Sequence, residues 1–145
     1  KLLQQIEEHK IRNIRVHKHP GYHRNGCNTK SYLDLLSTYR VSVCTSSRYG
    51  YALRKIIEAT ASGCRVITDL PTDEWMPHID GNLTRIHPDT PAEEIQEVIR
   101  YLLETYNQDD QLFFSSCAAR FYDYRNVYRK LACDIEHLRE NYFGE

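Results

Sequence analysis

The sequence lacks several features that mark large classes of protein. The 19 lysines and arginines nearly balance 20 aspartates and glutamates, so bulk electrostatic binding of nucleic acid or anionic lipid is not expected. No apolar run approaches the roughly 20 residues of a transmembrane helix. GxGxxG and CxxC motifs are both missing, which argues against a dinucleotide-dependent oxidoreductase and against a zinc finger. The five cysteines are odd in number and widely spaced, which argues against a disulfide scaffold and favours a reducing, cytoplasmic compartment.

What the sequence has is typical of one globular domain. The chain of 145 residues is 41% hydrophobic and 27% charged, so it can bury a core of its own, and we predict a single domain over residues 1–145. Because it opens with Lys1 and runs directly into helix-like sequence, we expect a piece of a longer protein. Cys44 and Cys64 lie inside apolar runs and are predicted to be buried thiols.

Strand-like and helix-like patterns alternate along the chain. We predict strands at Ile11–His17, Val41–Thr45, Cys64–Thr68 and Leu83–Ile86, and helices at 1–10, from Thr29 or Ser31 to Leu36, at Tyr51–Ser62 with Gly63 as its stop, from Asp89 or Thr90 to Tyr106, at Asp109–Tyr122 and at Asn126–Tyr142. Such alternation predicts an α/β fold with a parallel sheet and helices on both faces. Ligands of such sheets bind beyond the carboxyl ends of the strands.

The loop Ser46–Tyr51 is the most informative stretch for function. It supplies hydroxyl groups, an arginine and Gly50 just before a helix, where free N–H groups and the helix dipole suit a phosphate. Arg54 lies in the first helical turn, and Glu58 follows four residues later on the same face. A carboxylate beside a phosphate site could accept two hydrogen bonds from a ribose diol. The alternative is an ordinary surface ion pair between Arg54 and Glu58.

The segment Tyr51-Ala-Leu-Arg-Lys-Ile-Ile-Glu-Ala-Thr-Ala-Ser-Gly-Cys-Arg-Val-Ile-Thr-Asp69 resembles the nucleotide-sugar-binding motif of retaining GT-B glycosyltransferases. It is especially similar to the subset with Leu-Arg ahead of the glutamate, as in spore-coat maturation CgeB-like proteins. The flanks, Tyr32–Val43 before the motif and Asp80–Ile86 after it, are similar too. The resemblance covers about residues 30 to 105, and extends more loosely to the C-terminal helices.

This resemblance implies a Rossmann-like C-terminal half of a GT-B glycosyltransferase that binds a nucleotide-sugar donor as substrate and needs no cofactor. Glu58 matches the second glutamate of the family's Glu-x7-Glu motif, which binds the donor ribose. The first glutamate falls at Gly50, which departs from the family pattern. The missing partner is the N-terminal GT-B domain, which contributes the acceptor side. The candidate donor-binding residues are Ser47, Gly50, Tyr51, Ala52, Leu53, Arg54 and Glu58.

A second cluster, His17-Lys-His-Pro-Gly-Tyr-His23, lies before the motif. His17 and His19 could share a strand face, but only Cys27 could complete a ligand set, so we predict no metal site. Lys18 and His19 are predicted instead as possible phosphate contacts near the donor cleft. Two other functions stay open, namely a catalytically inactive GT-B-like binding or interaction module and a Rossmann-like dinucleotide-binding domain.

Overall fold

The computed structural model of the protein describes residues 14–16 and 27–143. Helices and strands alternate as far as the third strand, and three helices then follow. In chain order they are α1 (Cys27–Leu36), β1 (Val41–Val43), α2 (Arg54–Ala61), β2 (Arg65–Thr68), a 3₁₀ turn (Asp80–Asn82), β3 (Leu83–Arg85), α3 (Ala92–Glu104), α4 (Gln108–Tyr122) and α5 (Tyr124–Phe143).

The three strands form one parallel sheet in the order β1-β2-β3. Val41 pairs with Arg65 across β1 and β2, and Val66 pairs with Leu83 across β2 and β3. The predicted α/β fold with a parallel sheet is therefore confirmed, with a small sheet. Because the strands run the same way, the residues that follow β1, β2 and β3 all emerge at one edge.

Side chains of β2 alternate between two cores, one on each face of the sheet. Val66 packs with Ile56 and Ala59 of α2 and with Ala118 of α4. Its neighbour Ile67 packs on the opposite face against α3. Since both β2 side chains are fully buried, the sheet is covered on both sides, as a parallel sheet requires.

The end of α2 is fixed by glycine and by two hydroxyl groups from distant residues. Gly63 has φ of +83°, the left-handed conformation that stops a helix. The Ser115 hydroxyl donates to the Ala61 carbonyl at 2.6 Å, and the Tyr106 hydroxyl donates to the Gly63 carbonyl at 3.0 Å. The first bond satisfies a carbonyl group that the helix C-terminus leaves open, and the second holds Gly63 just beyond it.

The connection between β2 and β3 is held by an ion pair and an aromatic stack. Arg85 makes two hydrogen bonds to the Asp80 carboxylate, at 2.7 and 3.1 Å, and these lower the pKa of Asp80. His78 has φ of +66° and stacks on Phe121 of α4, with 3.6 Å between ring centroids. The connection is therefore packed against α4.

Several predicted boundaries need correction. Ile14–Val16, the described part of the predicted strand Ile11–His17, forms neither strand nor helix, and the predicted helix 1–10 lies outside the described residues. The helix expected from Tyr51 begins at Arg54, because Leu53 is extended with ψ of 151°. Pro91, not Asp89 or Thr90, occupies the N-cap of α3. In the described part of the chain, no helix has the length and apolarity to cross a membrane.

Candidate functional site

Ser47 closes the loop between β1 and α2 on itself. Its N–H donates to the Tyr51 carbonyl at 3.0 Å, and its carbonyl accepts from the Gly50 N–H at 3.0 Å. The Ser47 hydroxyl accepts from the N–H groups of Tyr49 and Tyr51, each at 3.2 Å. The loop was expected to offer free N–H groups to a phosphate, and for these four N–H groups that expectation is wrong. The N–H groups that were expected to bind a ligand instead hold the loop in shape through hydrogen bonds with Ser47 and Tyr51.

Gly50 stands at a position that only glycine occupies without strain. Its φ is +79°, and a Cβ added there would lie 3.3 Å from Cγ of Pro71, which is tighter than an ordinary contact. A glutamate at this position would face both the backbone cost and the contact with Pro71. The backbone of the loop therefore favours glycine at position 50.

The N-terminus of α2 carries two cations where a helix dipole is positive. The first turn holds Arg54 and Lys55, and within the described residues no side chain caps the helix at Leu53. Lys55 donates to the Thr45 hydroxyl at 2.6 Å, which brings its ammonium group to the carboxyl end of β1. Helix dipole and ammonium group both attract anions. The anion-attracting position lies at the start of α2 and not in the preceding loop.

Tyr51 and Ala52 lead into α2 in different environments. The Tyr51 side chain is exposed, and its ring stacks on Tyr49 with 6.4 Å between centroids. Ala52 is partly buried and packs against the core beside α2. Ala52 therefore anchors the chain just before the helix, while Tyr51 stays open to solvent.

Arg54 and Glu58 form the predicted ion pair, but their environments differ. Arg54 Nε lies 2.6 Å from Glu58 Oε1, with 74% of the arginine side chain exposed and only 18% of the glutamate. An exposed i,i+4 pair contributes about 0.3–0.5 kcal/mol. That surface interpretation suits Arg54, but it does not account for a carboxylate that is mostly covered.

Glu58 acts electrostatically on one residue of α1 and on one that follows β1. The pKa of Tyr32 on α1 is raised chiefly by burial, and electrostatic interaction with Cys44 and Glu58 raises it further. Burial also raises the pKa of the Cys44 thiol, with Glu58 adding to the effect. The carboxylate therefore lies within electrostatic reach of both residues, beside the edge where β1 ends.

The structure adds two charged residues that the sequence interpretation missed. Asp69 follows β2 directly, and its carboxylate accepts the Ser46 N–H, so it joins the β1 loop to the end of β2. Lys55 reaches Thr45 as described above. A signal for both was present in the sequence, since Asp69 comes immediately after a predicted strand and Lys55 lies in the first turn of a predicted helix.

The remaining residues singled out from the sequence either lie outside the described residues or are buried thiols. Lys18 and His19, with His17 and His23, lie outside the described residues. Over residues 14–16 and 27–143, no group of three or more His, Cys, Asp or Glu side chains is placed to hold a metal ion. Cys44 and Cys64 are buried as predicted, and burial raises the pKa of the Cys64 thiol to about 12. Neither buried thiol is suited to act as a thiolate nucleophile.

The arrangement brings a helix N-terminus, two cations and a carboxylate to one side of α2. Arg54, Lys55 and Glu58 lie within five residues of each other, and the helix starts beyond the carboxyl end of β1. Such a set can attract an anion at the helix start and accept hydroxyl hydrogen bonds one turn further along. Comparison with protein-family models, with curated proteins and with solved structures finds no match for this chain.

Proposed function

We propose that this chain is the donor-binding half of a glycosyltransferase that uses a nucleotide sugar. The observation that carries the proposal is the start of α2, where two cations and a helix N-terminus without a side-chain cap stand one turn before a largely covered carboxylate. This helix lies at the edge of a parallel sheet where ligands of such folds bind. The resemblance of residues 51–69 to the GT-B motif supplies the identity of the ligand.

Each residue then has a defined task in donor binding. The first N–H groups of α2 and the Arg54 guanidinium hold the diphosphate, since both donate hydrogen bonds to phosphate oxygens. Lys55 adds a second positive charge from the end of β1. Glu58 accepts hydrogen bonds from the two ribose hydroxyls. Arg54 exchanges its bond to Glu58 for one to the phosphate, which frees the carboxylate for the sugar.

The geometry at Gly50 favours a second candidate, a GT-B-like binding module without catalytic activity. In the family, the first glutamate of the motif helps to hold the donor sugar, and here the backbone at Gly50 disfavours any side chain. Absence of binding by both nucleoside diphosphates and NAD favours this module. If a nucleoside diphosphate does bind, turnover separates the two.

Calorimetric titration of the chain with UDP, GDP and NAD tests the ligand class. We expect one nucleoside diphosphate to bind with a micromolar to millimolar dissociation constant, about −8 to −4 kcal/mol, because half a cleft excludes little water. Binding of NAD alone would favour a dinucleotide-binding domain. Absence of binding by all three ligands would contradict the proposal.

Removal of the Glu58 charge tests the ribose contact. Loss of hydrogen bonds to a charged group costs about 1.5–3 kcal/mol, so Glu58→Gln should weaken binding about 10- to 150-fold. The same substitution should change little for the 2′,3′-dideoxynucleotide, which lacks the hydroxyls. Glu136→Gln is the matched control, because Glu136 also pairs with an arginine on a helix but lies on exposed α5. Equal losses for both nucleotides would contradict a ribose contact.

Turnover is tested with a panel of sugar nucleotides and acceptors, with glycoside product and released nucleotide both measured. We expect no multiple turnover by this chain alone, because the acceptor side of a GT-B site belongs to the N-terminal domain. Transfer that appears when that domain is present supports the glycosyltransferase. Donor binding without transfer in the two-domain protein supports the inactive module. Robust transfer by the isolated chain would contradict the half-site interpretation.

A further inference from the structure

Helix α5 extends from the domain with its side chains in solvent. Every residue from Val127 to Tyr142 is exposed. Of the described elements, α4 is the one that contacts α5 more than marginally, and Asn126 joins the two helices by donating to the Arg120 carbonyl. A polar helix could remain exposed in this way, but α5 carries a row of large apolar side chains.

The apolar row of α5 has the spacing of a coiled-coil seam. Its six members are separated by 4, 3, 4, 3 and 4 residues, which alternates as a heptad repeat does. Each of these residues is half or more exposed, so most of the row's apolar surface is uncovered by the described part of the chain. The members of this seam are Tyr124, Tyr128, Leu131, Ile135, Leu138 and Tyr142.

We propose that α5 pairs with α5 of a second copy of this chain as a parallel, in-register coiled coil. The spacing assigns Tyr128, Ile135 and Tyr142 to the a positions of the heptad and Tyr124, Leu131 and Leu138 to the d positions. A β-branched residue at a with leucine at d favours a parallel two-stranded coil. The central layers of α5, Leu131 to Leu138, have this composition.

Residues flanking the seam complement each other in the parallel arrangement. Asp134 is at position g, and Arg139 at position e lies five residues later, so each Asp134 faces Arg139 of the second copy. The twofold symmetry makes this ion pair twice. Towards the N-terminus, Val127 at g faces Ala132 at e and widens the apolar surface.

The antiparallel alternative places like charges together. When Leu131 of one helix packs beside Ile135 of the other, Asp134 lies next to Asp134 of the second copy. Arg125 then lies next to Arg139. Like-charge pairs at flanking positions destabilise the antiparallel coiled coil and so favour the parallel one. In this register the Asp134 contact is unfavourable, whereas Asp123 offsets the charge of Arg125 at 2.7 Å, so the flanking charges favour the parallel form over this antiparallel register.

Sedimentation equilibrium of the unmodified chain tests the pairing. We expect the average mass to rise from 17.1 kDa towards twice that value as concentration increases from about 1 μM to about 1 mM. Ile135→Asp should abolish the rise, because it places a charge in the seam. Cys133→Asp is the matched control, since it adds the same charge on the outer face of α5 and should leave the rise unchanged.

The outcomes of this experiment decide the proposal. Circular dichroism establishes that both variants keep their helices. A chain that stays monomeric at about 1 mM overturns the proposal and assigns the seam to another occupant. A rise that survives Ile135→Asp, or that Cys133→Asp removes equally, also overturns it.

Disulfide trapping tests the orientation. In the Cys133→Ser background, Leu138→Cys should cross-link two copies at position 138 on mild oxidation, because d positions adjoin in a parallel coil. In an antiparallel pair the two positions are ten residues apart, about 15 Å, and cannot bridge. Peptide mapping identifies the bridge. A dimer that fails to cross-link at position 138 overturns the parallel register.

Discussion

Alanine substitutions at two glycines separate the backbone cost of the loop before α2 from its packing. Gly50 and Gly63 have nearly the same φ, +79° and +83°. A Cβ at Gly63 would meet nothing within 4 Å, whereas one at Gly50 would lie 3.3 Å from Pro71. Gly63→Ala therefore measures the backbone cost alone, and Gly50→Ala adds the contact.

The expected magnitudes follow from this comparison. Alanine in the left-handed region costs about 1–2 kcal/mol, which we expect as the loss in free energy of unfolding for Gly63→Ala. For Gly50→Ala we expect a loss larger by about 1 kcal/mol, because Pro71 must shift by a few tenths of an ångström. The restriction of the unfolded chain by alanine is the same at both sites and cancels from the difference.

Urea unfolding of the unmodified chain, the two glycine variants, Pro71→Ala and the Gly50→Ala/Pro71→Ala double variant provides the assay. For a domain of this size each kcal/mol also moves Tm by about 2–4 °C. In the double-mutant cycle the extra loss at Gly50 should vanish once Pro71 is removed. Equal losses for Gly50→Ala and Gly63→Ala would refute the contact with Pro71. Unchanged stability of both would refute the strained backbone.

Three further outcomes are expected. Asn107 caps α4 by accepting two backbone N–H groups, so Asn107→Ala should lower the free energy of unfolding by about 1 kcal/mol and Asn107→Asp much less, measured by thermal melts. Hydrogen bonds from Arg85 lower the pKa of Asp80, so the pair stabilises the fold near neutral pH and this stabilisation is lost as pH falls through that pKa. The loss in free energy of unfolding caused by Asp80→Asn should therefore shrink in acid. A loss that does not change with pH would contradict this. Iodoacetamide should label exposed Cys133 and spare buried Cys64 in the folded chain, and peptide mapping that finds equal labelling would contradict the burial.

Strands and helices could be predicted from sequence where the hydrophobic periodicity and the helix-stopping residues indicate the same boundary. The strand predicted at Cys64–Thr68 follows directly on Gly63, and the structure has the same order of helix, glycine and strand. Both strand side chains are buried on opposite faces, which is the environment that such continuous apolar runs indicate. Local pattern was sufficient there because packing and propensity favour the same structure.

The start of α2 could not be predicted, because tertiary and loop hydrogen bonds decide it. Ser47 binds the Tyr51 carbonyl and N–H, which holds the chain out of helical geometry for three residues beyond the predicted start. The link from Asp69 to the Ser46 N–H joins residues 23 apart. No spacing rule brings such groups together, so the loop's N–H groups were expected to be free when they are bound.

The two hydroxyl hydrogen bonds at the C-terminal end of α2 affect the entropic cost of binding a ligand at the N-terminal end of this helix. Ser115 holds the last carbonyl group of the helix and Tyr106 holds that of Gly63, each from a position more than 40 residues away along the chain. The helix that presents Arg54 and Glu58 is thus fixed before any ligand arrives. A ligand at the start of α2 has mainly the exposed Arg54 side chain to order, at up to about 2 kcal/mol of rotamer entropy. The entropic cost of binding is therefore concentrated in one arginine, and the backbone of α2 contributes little to it.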